Sequence, residues 1–321
     1  AQPLESTTPN TVSDQGDISP DSLSVPDGPS ALERDRHAAE VALNLGGSVT
    51  VRLASGETLP IDTFEELPTT PFVVTDINVG NLESVDDDSL THFRGLDDLV
   101  GLSLVKNSIT DRGLSNLTDE GRQPLPALQR LYLNGIDVSQ DGLQFLSGSR
   151  ELQGLLIPDT SITSGDVMGH FPRLVMLNLS RTSLKTADLR IIRKLPELGN
   201  LSIDARHFSG ETATDIASLS KLHNLTLHGS SGFESSVLSR MESLESLEFY
   251  ECAGEAIDGA FWKSVAGLRG LESLSFTGVT DLSLRDVSSM PQLRSYGLTS
   301  NSISGTALAN AMPKFPNVTS L

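Results

Sequence analysis

Asp204, His207, His223, His228 and Glu248 lie within one stretch of the chain. Imidazole and carboxylate groups are the donors of a zinc or acid–base site, but such a site needs three or four of them converging on one point. In the strand pattern of this chain His223 falls at the start of a strand, whereas Asp204 and His228 fall at strand ends. Only Asp204 and His228 are expected to meet, as a surface pair. The run Asp86-Asp87-Asp88 carries the charge of a calcium cluster. VDDDSL, however, occupies the same slot of its unit as ITDRGL further on, so helix capping and dipole compensation are the expected role. Serines are abundant, yet no G-x-S-x-G elbow or paired His/Asp accompanies them. A single cysteine, Cys252, excludes an intrachain disulfide framework and a cysteine-rich zinc site, and reads as a small buried hydrophobe. Phe261 and Trp262, in AIDGAFWKSVAGL, are expected to pack in the core, with an exposed docking site as the alternative. No catalytic residue, metal or cofactor is expected, and the chain is expected not to be an enzyme.

The elements that would position these side chains begin with composition. The 321 residues carry 42 acidic and 23 basic side chains, a net charge of -19. That excess disfavours nucleic acid and makes a basic or neutral partner the better fit. No run of 18 apolar residues offers a membrane span. Residues 1–30 hold five prolines, five acidic residues and no Lys or Arg, too little apolar surface to offset ordering entropy; a disordered acidic linker is expected. Residues 31–71 form an expected N-terminal cap. ALERDRHAAEVALNL predicts a helix stopped at Gly46-Gly47, and SVTVRLASGETLPI predicts a hairpin turning at Ser55-Gly56.

Residues 72–321 repeat. The pattern L-x-x-L-x-L, with conservative swaps, starts at Val74, Leu99, Leu128, Leu152, Leu174, Leu198, Leu222, Leu244, Leu271 and Leu293, with a partial eleventh copy at Val318. Starts are separated by 22 to 29 residues, a spacing that signifies a solenoid of about ten complete units. After each strand an apolar residue is followed five positions later by another, as in NSITDRGL, with a Ser, Thr or Asp placed to cap a short helix. Pro126, Pro172, Pro196, Pro291 and Pro316 each lie two residues before a strand motif and end the helix there.

These motifs resemble the leucine-rich repeat family, and T-x-I-T-D-x-G-L, nearly intact in NSITDRGL, resembles the ribonuclease-inhibitor-like and F-box-associated type with helical convex sides. The segment ERDRHAAEVALNLGGSVTVR with LPTTPFVVTDINVG is similar to the part preceding repeats in bacterial, planctomycete-type proteins, some of which carry a kinase upstream. The resemblance implies an α/β solenoid with a curved parallel sheet on its concave side. Asn often follows the strand in that family and bonds neighbouring backbones; here the slots hold Asn107, Thr160, Thr182 and Asn301, and Thr is expected to replace some of those bonds. Units six to nine keep the strand but lose the connecting consensus.

Residues flanking the second leucine project onto the concave face. Arg130, Tyr132, Leu156 and Met176 form one expected patch, with Asn178, Asn200 and Thr226 beyond it. His228, Glu248 and Tyr250 form a second. Interface cores favour Tyr, Met and Arg, which places a protein partner here; a merely solvated sheet is the alternative. The expected function is a non-enzymatic interaction module. The other reading is a sensory or regulatory segment of a larger bacterial enzyme, such as a kinase. A chain starting at Ala1 behind an acidic Ser/Thr/Pro tether also fits a trimmed chain, but export after signal cleavage is slightly favoured over a cytoplasmic location. The unfinished eleventh unit suggests either continuation or an end-to-end homodimer.

Overall fold

The computed structural model describes residues 30–118, 124–229, 232–251, 257–299 and 302–320. Residues 1–29, on which the expected linker falls, and Cys252, Asn301 and Leu321 lie outside the described residues. Each unit opens with a short strand: β3 (Phe72–Asn78), β4 (Gly101–Ser103), β5 (Arg130–Tyr132), β6 (Gly154–Leu156), β7 (Met176–Asn178), β8 (Asn200–Asp204), β9 (Asn224–His228), β10 (Ser246–Tyr250), β11 (Ser273–Thr277) and β12 (Ser295–Thr299). They pair in parallel in sequence order. The central apolar residues stand side by side, from Ile77 through Leu102, Leu131, Leu155, Leu177, Leu201, Leu225, Leu247 and Leu274 to Tyr296, all at 0–2% exposure. No unit can bury its own row without its neighbours.

The N-terminal segment does more than cover the first unit. β1 (Ser48–Leu53) and β2 (Thr58–Ile61) form a hairpin, and β1 also pairs antiparallel with β3, so the sheet is mixed at this end. Pro60 lies on β2, the outermost strand, where it blunts an open edge. The helix α1 (Ala31–Asn44) packs on β1, β3 and the turn Asp88–Phe93 through Ala38, Ala39 and Ala42. Asp35, buried on α1, accepts the Val74 N–H at 2.6 Å.

On the opposite side the segments pack on one another, but only some are α-helices. α2 (Asp111–Asn116), α3 (Gln140–Gln144), α4 (Gly210–Ala217), α5 (Gly259–Ala266) and α6 (Gly305–Ala311) alternate with 3-10 turns at Asp88–Phe93, Asp166–His170, Thr186–Lys194, Ser235–Arg240 and Asp281–Leu284. The three units that run 22 residues to the next start, from Leu152, Leu222 and Leu271, all use 3-10 turns. A 3-10 turn advances about 2.0 Å per residue against about 1.5 Å for an α-helix, so a short unit spans the same distance with fewer residues. Unit length does not account for the 3-10 turns in the units from Val74 and Leu174.

The expected caps are present: Thr110, Ser139, Asp258 and Ser304 accept backbone N–H bonds at the starts of α2, α3, α5 and α6. The three aspartates of VDDDSL divide the work in a way the sequence reading did not anticipate. Asp86 caps its own turn, accepting from the Ser89 backbone and hydroxyl, and those bonds hold its carboxyl below the usual range. Asp87 reaches into the next unit and accepts the N–H and O–H of Thr110, both at 2.7 Å. Asp88 pairs with Arg112. The Asp87 clamp recurs where Asp111 accepts the N–H and O–H of Ser139 at 2.7 and 2.6 Å, and where Asp281 does the same to Ser304 at 2.6 and 2.8 Å.

Post-strand bonding also differs from expectation. Asn107 bridges neighbours, accepting from Leu82 N–H and donating to Val79 carbonyl. Thr160 and Thr182 instead donate to Ile157 and Leu179 of their own units, because a hydroxyl lacks the reach and second donor of an amide. Phe261 and Trp262 are fully buried, and Trp262 Nε1 donates to the Ser283 carbonyl at 2.7 Å. They join Phe249, Phe276, Tyr296 and Phe315 in a chain of aromatic contacts. The core role holds for both.

Candidate binding face

Side chains on either side of each central leucine emerge on the open face of the sheet. One row runs Asp76, Gly101, Arg130, Gly154, Met176, Asn200, Asn224 and Ser246 across the strands; the next runs Asn78, Ser103, Tyr132, Leu156, Asn178, Ser202, Thr226 and Glu248. Two hollows lie along them. The first, about 370 Å³, is lined by Asp76, Asn78, Ser103, Arg130, Tyr132 and Asn134. The second, about 330 Å³, is central and includes Leu156, Met176, Asn178, Asn200, Thr226 and Glu248.

Arg130 does not point freely into the first hollow. Its guanidinium crosses β4 to Asp76 at 2.6 Å, and it passes over Gly101, where a Cβ would stand 2.2 Å from Asp76 Oδ1. Glycine at that position is what lets charges two strands apart meet. Tyr132 stands beside Leu156 in register, so the first hollow, which Tyr132 lines, adjoins the central one, which Leu156 lines. Leu156 and the exposed Met176 form the apolar end of the central hollow.

His228 and Tyr250 line neither hollow; their rings stack with centroids 5.2 Å apart. Burial, then the Arg181 charge, lowers His228 below its usual value. The Glu248 charge, followed by burial, raises the Tyr250 phenol. The expected Asp204–His228 pair is not what forms. Asp204 stands beside His228 in register, but its carboxylate takes the Arg181 N–H at 2.7 Å and the Arg206 guanidinium at 3.1 Å. His228 Nε2 bonds Ser202 Oγ at 3.1 Å. His207 is buried, bonds Thr186 Oγ1 at 3.1 Å, and is lowered by burial and then by Arg206. His223 bonds the Lys221 carbonyl at 2.9 Å. Among the described residues no three His, Cys, Asp or Glu side chains are grouped to hold a metal ion, and no helix is long and apolar enough to cross a membrane.

No protein-family model and no curated protein matches the sequence. Solved structures do match in three dimensions. An internalin of Listeria monocytogenes is similar with a TM-score of 0.50 and 18% identity, covering 93% of this chain and 92% of its own. The leucine-rich repeat ectodomain of the Arabidopsis receptor kinase HAESA, solved in complex with an N-terminally extended IDA peptide hormone ligand, has a TM-score of 0.50 and 19% identity. There 85% of this chain matches 46% of that one, so this chain spans less than half its length. The fold is an α/β leucine-rich repeat solenoid.

Proposed function

We infer that this chain is a non-enzymatic binding module that holds a protein partner on the open, concave face of its sheet. The observation that carries the reading is the central hollow, where Leu156 and Met176 form an apolar end beside Asn178, Asn200 and Thr226, with Glu248 at the far end. Interface cores are built from exposed apolar anchors ringed by polar groups. Arg130 and Tyr132 in the first hollow, and the stacked His228 and Tyr250, are the flanking contacts in this reading.

The test is affinity capture from an extract of the source organism, compared across three proteins. A Tyr132→Ala, Met176→Ala double variant is expected to lose the captured partner. A Phe145→Ser variant, altered at the exposed end of α3 away from the sheet, is expected to keep it. Equal capture by both variants overturns the assignment of the face.

A further inference from the structure

The central hollow is chemically uneven along its length, and the unevenness specifies an occupant. At one end Leu156 and Met176 offer apolar surface. At the other, Glu248 on β10 has no cationic partner among the described residues, unlike Asp76, which pairs with Arg130, and Asp204, which pairs with Arg206. Between them Asn224 Nδ2 donates to Asn200 Oδ1. That bond leaves the Asn200 amide nitrogen as a donor and the Asn224 amide oxygen as an acceptor, with no other hydrogen bond to either among the described residues. Adjacent strands lie about 4.8 Å apart, so an outward donor and acceptor on neighbouring strands match the C=O and N–H of an extended backbone.

The distances set the spacing of side chains in such a segment. Leu156 on β6 and Glu248 on β10 share a row four strand intervals apart, about 19 Å, and Met176 on β7 is three intervals away and one row over, about 16 Å. An extended chain advances about 3.3 Å per residue and turns every second side chain to the same face. Four or six residues therefore separate a side chain over Met176 or Leu156 from one over Glu248. The net charge of -19 favours a basic ligand in the same direction.

We propose that the central hollow binds an extended peptide segment. Its apolar residue seats on Leu156 and Met176, its backbone bonds the Asn200–Asn224 amide pair, and a Lys or Arg four or six residues away meets Glu248. The proposal rests on the concave-face reading and adds the chemistry of the partner.

The experiment is selection of random dodecapeptides displayed on phage against the full chain, followed by fluorescence anisotropy with the synthetic enriched peptides. Enrichment of an apolar residue with Lys or Arg at four or six positions is expected. Glu248→Gln and replacement of the peptide's basic residue by Ala should each weaken binding about five- to tenfold without adding to one another, and both should flatten its salt dependence. Glu248→Lys should shift the selection to acidic peptides, and an unchanged Tm keeps that result apart from misfolding. Peptides that need Met176 and Asn200 but carry no basic residue overturn the charge assignment and leave the face intact. Peptides indifferent to Met176→Ser, Asn200→Ala and Glu248→Gln alike, or no enrichment, overturn both the proposal and the face.

Discussion

Replacing Gly142 by Ala is expected to destabilise this protein, although the general rule for a helical glycine points the other way. Gly142 lies inside α3, where Ala is ordinarily favoured by about 1 kcal/mol. Here a Cβ would stand 2.2 Å from Asp111 Oδ1, 2.9 Å from its Cγ and 3.0 Å from its Cα. The carboxylate cannot move aside without releasing the Ser139 N–H and O–H that it holds at 2.7 and 2.6 Å. Hydrogen bonds to a charged acceptor contribute about 1.5–3 kcal/mol each; partial exposure reduces the pair to about 2–4 kcal/mol. Gly142→Ala should therefore cost about 1–3 kcal/mol net, and Asp111→Ala about 2–4 kcal/mol. In the double variant the clash with the carboxylate is gone and only the 3.0 Å approach to the residue 111 Cα remains, so the added cost of the alanine should fall well below its cost in the parent chain. Urea unfolding of the four proteins, with m unchanged, measures the cycle. Stabilisation by Gly142→Ala in the parent chain, or additivity within about 0.5 kcal/mol, refutes the clamp. Gly113 against Asp87, where a Cβ would stand 2.5 Å from Oδ1, is an independent copy.

Leu177→Ala or Leu201→Ala should cost about 2–5 kcal/mol, whereas Ser202→Ala should stay within about 0.5 kcal/mol; equal thermal shifts would contradict the register. Tyr296 has a fully buried hydroxyl without a hydrogen-bond partner among the described residues, and burial raises its phenol. Tyr296→Phe should accordingly raise stability by about 1 kcal/mol, and a loss would mean that the hydroxyl has a partner. The His207 and His228 values are lowered, so the folded chain binds fewer protons than the unfolded one just below the ordinary histidine value of about 6.5. Stability should fall as pH drops through that window, and His207→Gln should flatten the fall in a Tm series. Burial raises Asp35 despite its bond from Val74, so its contribution runs oppositely: stability increases as pH falls from the raised value toward about 3.9. Asp35→Asn should remove that increment, and an unchanged acid limb would sink the assignment.

The α2 and α3 caps were legible because Thr110 and Ser139 sit directly before helix-period residues. The fates of Asp86, Asp87 and Asp88 were not. Their partners Ser89, Thr110 and Arg112 lie in two different units, and nothing local distinguishes a carboxylate that caps its own turn from one that reaches the next. On the binding face, strand alternation exposed Met176 and Glu248 to view, but the pairing of Arg130 with Asp76 across β4 carries no periodic signal.

By itself, the sequence determined the strands, their core residues and their parallel order. Each L-x-x-L-x-L segment must bury the same positions against identical neighbours, and a slip by one residue would expose the whole row. Only the tertiary structure decided which surface groups meet. The Asp76–Arg130 pair over Gly101, the Asn200–Asn224 bond and the Arg181 N–H taken by Asp204 all depend on how neighbouring units are arranged. The Asp76–Arg130 and Asn200–Asn224 partners lie more than 20 residues apart in the chain; the turn of the solenoid brings them within bonding distance, and no short-range pattern encodes that approach.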